Sequence, residues 1–289
     1  MHVPVMVRES LEYLAVRPDG IYLDATTGLG GHTGAIAERL TTGFVIGIDR
    51  DRESLAAAEK NLAGYGARVR LYHNRFSEVR RALETAGVTN VDGLLADLGV
   101  SRYQLTEPER GFSLQGEGPL DMRMDRSQGV AASEIVNTWA EKALADLIYQ
   151  YGEERRSRRI SRAIVRARPI HTTQALARVI EKAVPRTSRL HPATQTFMAL
   201  RLVTNEELEE LEKLLAIAPD VVRGGGRIVV ITFMSLEDRR VKQSFQGLVR
   251  SGRASSLTKH VVRPTEEEIG SNPPSRSAKL RAVRMTEEK

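Results

Sequence analysis

A glycine-rich turn preceded by an acid is the first feature of the chain that could do chemistry. The apolar, β-prone run Ile21–Asp24 ends in the acid, and Gly28, Gly30 and Gly31 follow it closely. Glycines allow a positive φ and let backbone N–H groups approach a ligand at the start of a helix. The pattern therefore predicts a strand, a ligand-binding turn and a helix.

The acid indicates which ligand this turn binds. A dinucleotide site has Gly-x-Gly-x-x-Gly after its first strand, and the third glycine position is Thr33 in this chain. Asp24 stands four residues ahead of Gly28, and a carboxylate there suits an ammonium group better than a pyrophosphate. The methionine part of S-adenosylmethionine (SAM) carries such a group, so we expect a SAM site.

Two later residues fit the rest of the same ligand. Asp49 ends the second β-prone run, 21 residues after Gly28, where a carboxylate can accept hydrogen bonds from both ribose hydroxyls. Phe76 follows the third run and offers an apolar surface for the adenine ring. Taken singly, the acids could be helix caps and Phe76 a core residue. Their register with successive strands favours the cofactor site.

A fourth β-prone run ends in Asp97, which could act on a methyl acceptor. The lone pair of an aryl amine is delocalised into its ring, so the amine must be turned toward the methyl group and must lose a proton as it attacks. A carboxylate such as Asp97 can accept an amine N–H and orient it. The Asp/Asn-Pro-Pro-aromatic tetrad of many amine methyltransferases is absent from this position, and Asn272-Pro273-Pro274 predicts only a turn.

An arginine-rich stretch indicates phosphate binding. Residues 155–168 contain seven Arg and no acid. On a helix, Arg155, Arg158, Arg162 and Arg166 share one face and leave an apolar face opposite. We expect this face to contact RNA phosphates, and the alternative is an ordinary solvated helix face.

The elements that must position these residues follow an alternating pattern. β-Prone runs at Ile21–Asp24, Phe44–Asp49, Val69–His73 and Val91–Asp97 alternate with helical stretches, and a fifth run covers residues 228–233. Such alternation predicts an α/β fold of the Rossmann-like type with a mainly parallel sheet, which binds ligands at the carboxyl ends of its strands. Residues 256–263 and 277–285 could close the sheet as an antiparallel pair.

The interval between the fourth and fifth runs is too long for one crossover, at about 130 residues. Its middle has helical periodicity, with helices expected over residues 133–151, 153–167, 173–183 and 191–218. We therefore expect residues 105–195 to form an inserted all-helical, substrate-recognising subdomain. Residues 1–104 and 196–289 would form the sheet domain.

Composition limits the classes of protein that remain. The chain has 289 residues, and 41% of them are hydrophobic, which is enough for a buried core. Its net charge is +6. No apolar run reaches the ~20 residues of a membrane span, and the N-terminus lacks signal or transit features, so a cytoplasmic location is expected. The absence of cysteine excludes disulfides and thiolate chemistry, and the scattered histidines predict no metal site.

The charge is unevenly distributed along the chain. Residues 150–190 and residues 239–284 each carry a net charge of +8, and the rest of the chain carries −10. Two basic blocks on an otherwise acidic protein indicate a polyanionic partner.

At this point several strings resemble one known family, in order and over nearly the whole chain. They are His2-Val3-Pro4-Val5, residues 24–33, Asp97-Leu98-Gly99-Val100-Ser101, Gln104-Leu105, Arg110-Gly111-Phe112-Ser113, residues 118–125, Tyr151-Gly152-Glu153-Glu154, His191-Pro192-Ala193-Thr194 and Ser235-Leu236-Glu237-Asp238-Arg239. The family is the RsmH (MraW) group of bacterial ribosomal RNA methyltransferases.

The resemblance implies a class I SAM-dependent methyltransferase with a helical insertion. Its expected substrate is the exocyclic N(4) amine of a cytidine in the P-site region of 16S rRNA, within the small ribosomal subunit, with no metal, membrane or obligate protein partner. The SAM contacts implied by matching motifs are Gly30, Gly31, His32, Asp49, Phe76, Asp97 and Gln104. His32 and Gln104 rest on the resemblance alone.

Two positions depart from the family's usual strings. Met234 stands where a histidine is usual, so any role of that histidine is absent from this chain, and Arg102 replaces a serine and could add a phosphate contact.

Two other functions stay open on the sequence. One is an RNA-binding ribosome assembly factor whose SAM site is vestigial or regulatory. The other is an NAD(P)-dependent oxidoreductase, suggested by Asp49-Arg50 but lacking the third glycine.

Overall fold

The computed structural model describes residues 4–114, 116–186 and 191–287, without the side chain of Arg102. His2 and Val3, which begin one of the strings above, lie outside the described residues. The chain divides into two compact units. The first comprises the chain up to Gly99 and again from Leu208 onward, and the second is Val100–Glu207.

The first unit is built on a seven-stranded sheet. Its strands are β1 (Ile21–Asp24), β2 (Phe44–Asp49), β3 (Val69–His73), β4 (Val91–Asp97), β5 (Val222–Thr232), β6 (Ala254–Ser256) and β7 (Lys279–Met285). Their order is β3-β2-β1-β4-β5-β7-β6. The first five strands are parallel, and β7 is antiparallel to both β5 and β6. The predicted α/β fold with a mainly parallel sheet is confirmed.

Strand β6, predicted over residues 256–263, covers only Ala254–Ser256, and β5 also differs from its predicted bounds. Strand β5 begins at Val222, six residues before the predicted start at Ile228. The early part contains Gly224, Gly225 and Gly226, which have low strand propensity. The pairing with β4 shifts register between Val91 and Gly93, so this glycine segment forms an irregular extension of the sheet.

Helices lie between the strands along the chain and dominate the second unit. In chain order they are α1 (Val7–Leu14), α2 (Gly31–Ala37), α3 (Arg52–Leu62), α4 (Val79–Thr85), α5 (Arg102–Thr106), α6 (Ala132–Thr138), α7 (Glu141–Gly152), α8 (Ser157–Ala167), α9 (Thr173–Ala183), α10 (Thr194–Thr204), α11 (Glu207–Val221), α12 (Ser235–Arg250) and α13 (Glu266–Ser271). Helices α5–α10 belong to the second unit. No helix in the described ranges is long and apolar enough to cross a membrane.

Both faces of the parallel sheet are buried. Leu23, Ile46 and Leu94 lie in one apolar cluster, which also includes residues of α4, α11 and α12. Their neighbours Tyr22, Val45 and Leu95 lie in a second cluster with residues of α1 and α2. Alternate strand residues point to opposite faces, so burial on both sides requires the continuous apolar runs seen in the sequence.

The second unit has its own core, to which α6–α10 contribute. Two of the helices predicted for this region are each broken in two. The predicted helix over residues 191–218 is interrupted at Asn205 and Glu206, where Glu206 has a φ of 51°. The Asn205 side chain accepts a hydrogen bond from the Met124 N–H and donates one to the Met122 carbonyl, each at 2.8 Å. These tertiary hydrogen bonds are invisible to helical periodicity. The predicted helix over residues 133–151 is likewise divided into α6 and α7.

Candidate active site

Three carboxylates lie at one edge of the sheet. Asp24, Asp49 and Asp97 end β1, β2 and β4, and β1 is hydrogen-bonded to both of the other strands. Since the strands are parallel, their carboxyl ends meet at one edge. The structure thus brings together the three acids singled out from the sequence.

Asp24 is fully buried and is held by two threonines of the turn that follows. Its Oδ1 accepts the Thr26 N–H at 3.0 Å, and its Oδ2 accepts the Thr33 hydroxyl at 2.7 Å. Burial raises the pKa of Asp24, against the opposing effects of the His32 charge and these hydrogen bonds. Thr33 stands where a dinucleotide motif has its third glycine, and here its side chain binds Asp24.

Thr26 also connects β1 to β4. Its hydroxyl oxygen accepts the N–H of Asp97 at 2.6 Å. The sequence analysis gave neither Thr26 nor Thr33 a role in holding the acid of the turn. The signal that could have found them is a pair of hydroxyl residues flanking the glycine turn.

The glycines of the turn are required by both conformation and packing. Gly28 and Gly30 have φ values of 52° and 90°, which side-chain-bearing residues rarely adopt. A Cβ on Gly30 would lie 2.7 Å from Leu62 Cδ1, and one on Gly31 would lie 2.8 Å from Pro4 Cγ. The start of α2 therefore packs closely between α3 and the N-terminal segment.

Asp49 joins the turn to the end of β2. Its Oδ2 accepts the Gly28 N–H at 2.7 Å, and its Oδ1 accepts the Asp51 N–H at 2.8 Å. Burial raises the pKa of Asp49 to about 6, although these two hydrogen bonds act in the opposite direction. Each carboxylate oxygen keeps a second lone pair that can accept a further hydrogen bond.

His32 and Asp97 form a close pair at this edge. The imidazole is buried, with 4% of its side chain exposed, and its Nε2 lies 3.4 Å from Oδ2 of Asp97. Within the described residues, Oδ1 of Asp97 has no hydrogen-bond partner. A carboxylate oxygen is thus buried at the end of β4 with its acceptor capacity unused.

Phe76 lies beyond the end of β3. It begins a short 3₁₀ turn, Phe76–Glu78, and is half-buried against the cluster that includes α4 and α11. The turn is fixed by the Ser77 N–H, which donates to Glu210 Oε2 at 2.9 Å. Phe76 therefore follows a strand that ends at the same edge as the three acids.

Gln104 lies in the second unit, as the third residue of α5. Its side-chain oxygen accepts the Ser101 N–H at 2.9 Å, and its own N–H donates to the Ser101 hydroxyl at 3.2 Å. This reciprocal arrangement caps the start of the helix.

The arginine-rich stretch is helical only from Ser157, so the prediction that Arg155 lies on the helix is wrong. Helix α7 ends at Gly152, and Glu153 adopts a φ of 52°. The Glu154 carboxylate then accepts the Arg156 N–H at 2.8 Å, which holds the chain in a turn. Arg155 is exposed in that turn. Arg158, Arg162 and Arg166 are exposed on α8, whose buried residues are Ser157, Ile160, Ser161 and Ile164.

Met234, the departure noted above, is buried immediately before α12. The N–H groups of Phe233 and Met234 both donate to Glu237 Oε2 at 3.0 Å. No group of three or more His, Asp or Glu side chains in the described parts of the chain is arranged to hold a metal ion.

Comparison with known proteins gives consistent matches over the full length. The model of the MraW methylase family matches residues 1–286. A protein of Solibacter usitatus named Ribosomal RNA small subunit methyltransferase H is 59% identical over 285 residues, covering 99% of this chain and 100% of that protein. A protein of the same name from Nostoc punctiforme is 49% identical over 283 residues, covering 97% and 92%.

The structural comparison supports the fold. A crystal structure of a protein assigned as an rRNA methylase from Clostridium thermocellum aligns with a TM-score of 0.50 at 13% identity and covers 100% of both chains. From the family match and from these identities, the chain belongs to the MraW methylase family, as its sequence motifs predicted.

Proposed function

We propose that the protein is a SAM-dependent methyltransferase that methylates the exocyclic N(4) amine of a cytidine in the P-site region of 16S rRNA, within the small ribosomal subunit. The observation that carries the proposal is the 59% identity, over 285 residues, with a protein named Ribosomal RNA small subunit methyltransferase H. Such a substrate places the protein in the cytoplasm.

The residues at the strand ends fit SAM. The turn has glycines at positions 28, 30 and 31, so no side chain covers the backbone there and a ligand can approach it closely. We assign SAM contacts to Asp24, Gly28, Gly30, Gly31, His32, Asp49, Phe76, Asp97 and Gln104. When bound, SAM supplies an electrophilic methyl group on a sulfonium.

Each acid then has a distinct task. Asp49 accepts hydrogen bonds from the ribose hydroxyls through its remaining lone pairs, which stabilises its ionised form against the burial that raises its pKa. The Asp24 carboxylate attracts the ammonium group of the methionine part of SAM. Phe76 packs against the adenine.

Asp97 acts on the acceptor. Its Oδ1 accepts one N–H of the cytosine amine and turns the nitrogen toward the methyl carbon. The nitrogen forms a bond to that carbon as the carbon–sulfur bond breaks, and the electron pair of the broken bond stays on sulfur. The nitrogen then carries a surplus proton, which leaves through Asp97 to water.

The arginines of α8 and Arg155 contact RNA phosphates. They are exposed and belong to a basic block on an otherwise acidic chain. Phosphate contacts of this kind position a folded RNA without reading its sequence.

Transfer of a labelled methyl group tests this function. The substrates are small subunits lacking the modification, protein-free 16S rRNA and duplex DNA, and the product is identified by nucleoside mass spectrometry. We expect N(4)-methylcytidine in the subunits. No transfer to any of the three, with SAM bound, would contradict the proposal and favour the assembly factor. Binding of NADP in place of SAM would favour the oxidoreductase.

A further inference from the structure

The start of α2 places a histidine ring beside the carboxylate at the end of β4. His32 is the second residue of α2, and close packing of Pro4 on Gly31 holds that end of the helix against the N-terminal segment. The ring is almost fully buried, whereas Asp97 retains 20% exposure of its side chain. One end of the pair is therefore fixed in the protein, and the other reaches the surface of the site.

The groups that face the imidazole are two carboxylates and one backbone carbonyl. Burial by itself lowers the pKa of His32, but Asp97, then Asp24, and then the backbone of Val5 outweigh it and raise the pKa above its ordinary value. The ring therefore keeps its proton more readily than a free histidine. A protonated imidazole can donate to Asp97, whereas a neutral ring that donates through Nδ1 would face the carboxylate with a lone pair.

The pair is close but not fully hydrogen-bonded. The separation of 3.4 Å between Nε2 and Oδ2 is an ion-pair distance, yet neither ring nitrogen has a well-aligned hydrogen-bond partner among the described residues. A buried polar group of this kind needs an explanation. Catalytic hydrogen bonds are commonly long before the substrate arrives and shorten in the reacting complex.

We propose that His32 is a positioning residue for Asp97, holding Oδ2 of the carboxylate so that Oδ1 is left to accept the N–H of the acceptor amine. The proposal rests on the methyl transfer proposed above and adds a role to His32 beyond contact with SAM. His32 neither touches the amine nor receives its proton.

Two variants separate positioning from cofactor contact. His32→Gln keeps a neutral donor that does not titrate, and His32→Phe keeps the bulk of the ring without a donor. We expect kcat for small subunits to fall about tenfold in His32→Gln and about a hundredfold in His32→Phe, because a misplaced catalytic group costs about that much. SAM affinity, measured by calorimetry, should also weaken because His32 contacts SAM, so kcat is compared at saturating SAM. A large loss of SAM affinity with kcat unchanged would overturn the proposal and make His32 a cofactor contact only.

The pH profile provides a readout that a merely structural role would not move. In the wild type, kcat should decline as pH rises through the pKa of His32, because the neutral ring loses its positive charge and donates from only one of its two nitrogens. His32→Gln should lack that decline over the same range. If the decline persists in the variant, the proposal is wrong. A wild type that transfers no methyl group at any pH contradicts the proposed function itself, which is a distinguishable result.

A measurement without turnover tests the pair directly. Nuclear magnetic resonance titration follows each histidine, and loss of one signal in His32→Gln identifies His32. We expect its pKa to lie above the ordinary value in the wild type and to fall in Asp97→Asn. An unchanged pKa in Asp97→Asn would overturn the pairing even if His32→Phe fails to fold.

Discussion

The N–H of Gly28 donates a hydrogen bond to Oδ2 of Asp49 across 2.7 Å, which joins the turn after β1 to the end of β2. The same carboxylate accepts the Asp51 N–H just before α3. One side chain therefore sets the geometry of two adjacent loops at the edge where the ligand is proposed to bind. A change in the charge of Asp49 should therefore change the affinity for the ligand.

SAM affinity should depend on pH through Asp49. Burial raises its pKa to about 6, and the protonated acid accepts hydrogen bonds from ribose hydroxyls less well than the carboxylate. Because protons compete with the ligand, SAM binding should weaken about fivefold between pH 6 and pH 5. Calorimetric titration from pH 5 to pH 8 measures this.

Asp49→Asn is the matched variant for this prediction. Its SAM affinity should be weaker at pH 8 and should have lost the part of the pH dependence that comes from Asp49. A wild-type affinity that stays constant down to pH 5 would contradict the assignment. The effect of pH on folding stability has the opposite sign. Because the pKa of Asp49 is higher in the folded protein than its ordinary value of 3.8, its protonation stabilises the fold fully below pH 3.8. This stabilisation is lost as the pH rises through about 6.

Gly30→Ala should destabilise the protein. The residue has a φ of 90°, and an added Cβ would lie 2.7 Å from Leu62 Cδ1. Backbone strain of this kind costs about 1–3 kcal/mol, which should appear as a lower free energy of unfolding in urea.

Gly247→Ala is the control for that substitution. Gly247 lies inside α12, and a Cβ there meets nothing within 4 Å. The variant should be more stable than the wild type by roughly 0.5–1 kcal/mol, because alanine favours a helix interior. If Gly30→Ala raised the free energy of unfolding as Gly247→Ala does, the turn would tolerate a side chain and the prediction would be wrong.

Charge reversal on α8 should weaken RNA binding selectively. We expect Arg158→Glu combined with Arg162→Glu to reduce affinity for small subunits and to lower the salt dependence of binding by about two counterions, one for each phosphate that is no longer neutralised. SAM affinity should be unchanged. Filter binding over a series of salt concentrations measures the affinity for subunits and its salt dependence.

Arg39→Glu combined with Lys60→Glu is the charge-matched control. Both residues are exposed, and they lie in the first unit, outside the two basic blocks. If this pair weakens subunit binding as much as the α8 pair does, net charge and not α8 explains the effect.

Much of the fold was predictable because its signals are local. Strands β1–β4 have the predicted bounds, since each is a short β-prone run and three of them end in an acid. The meeting of Asp24, Asp49 and Asp97 at one edge follows from parallel topology alone. These inferences need no knowledge of tertiary contacts.

The remaining features depend on contacts between residues distant in sequence. Nothing in the sequence near Asn205 predicts that its side chain binds Met122 and Met124 and interrupts a helix. The pairing of His32 with Asp97 likewise arises only when folding brings the start of α2 close to the end of β4. The early start of β5 was not predicted because its glycines have a low strand propensity, and it is the pairing with β4 that makes this segment a strand.

The carboxylate of Asp97 is central to the proposed methyl transfer, and Asp97→Asn tests that role most directly. The measurement is the rate of N(4)-methylcytidine formation in small ribosomal subunits under saturating SAM, with SAM affinity determined separately. We predict a loss of about a hundredfold or more in kcat, because the amide accepts and orients an amine N–H poorly and cannot take its proton. A variant that forms N(4)-methylcytidine at the wild-type rate would contradict this role.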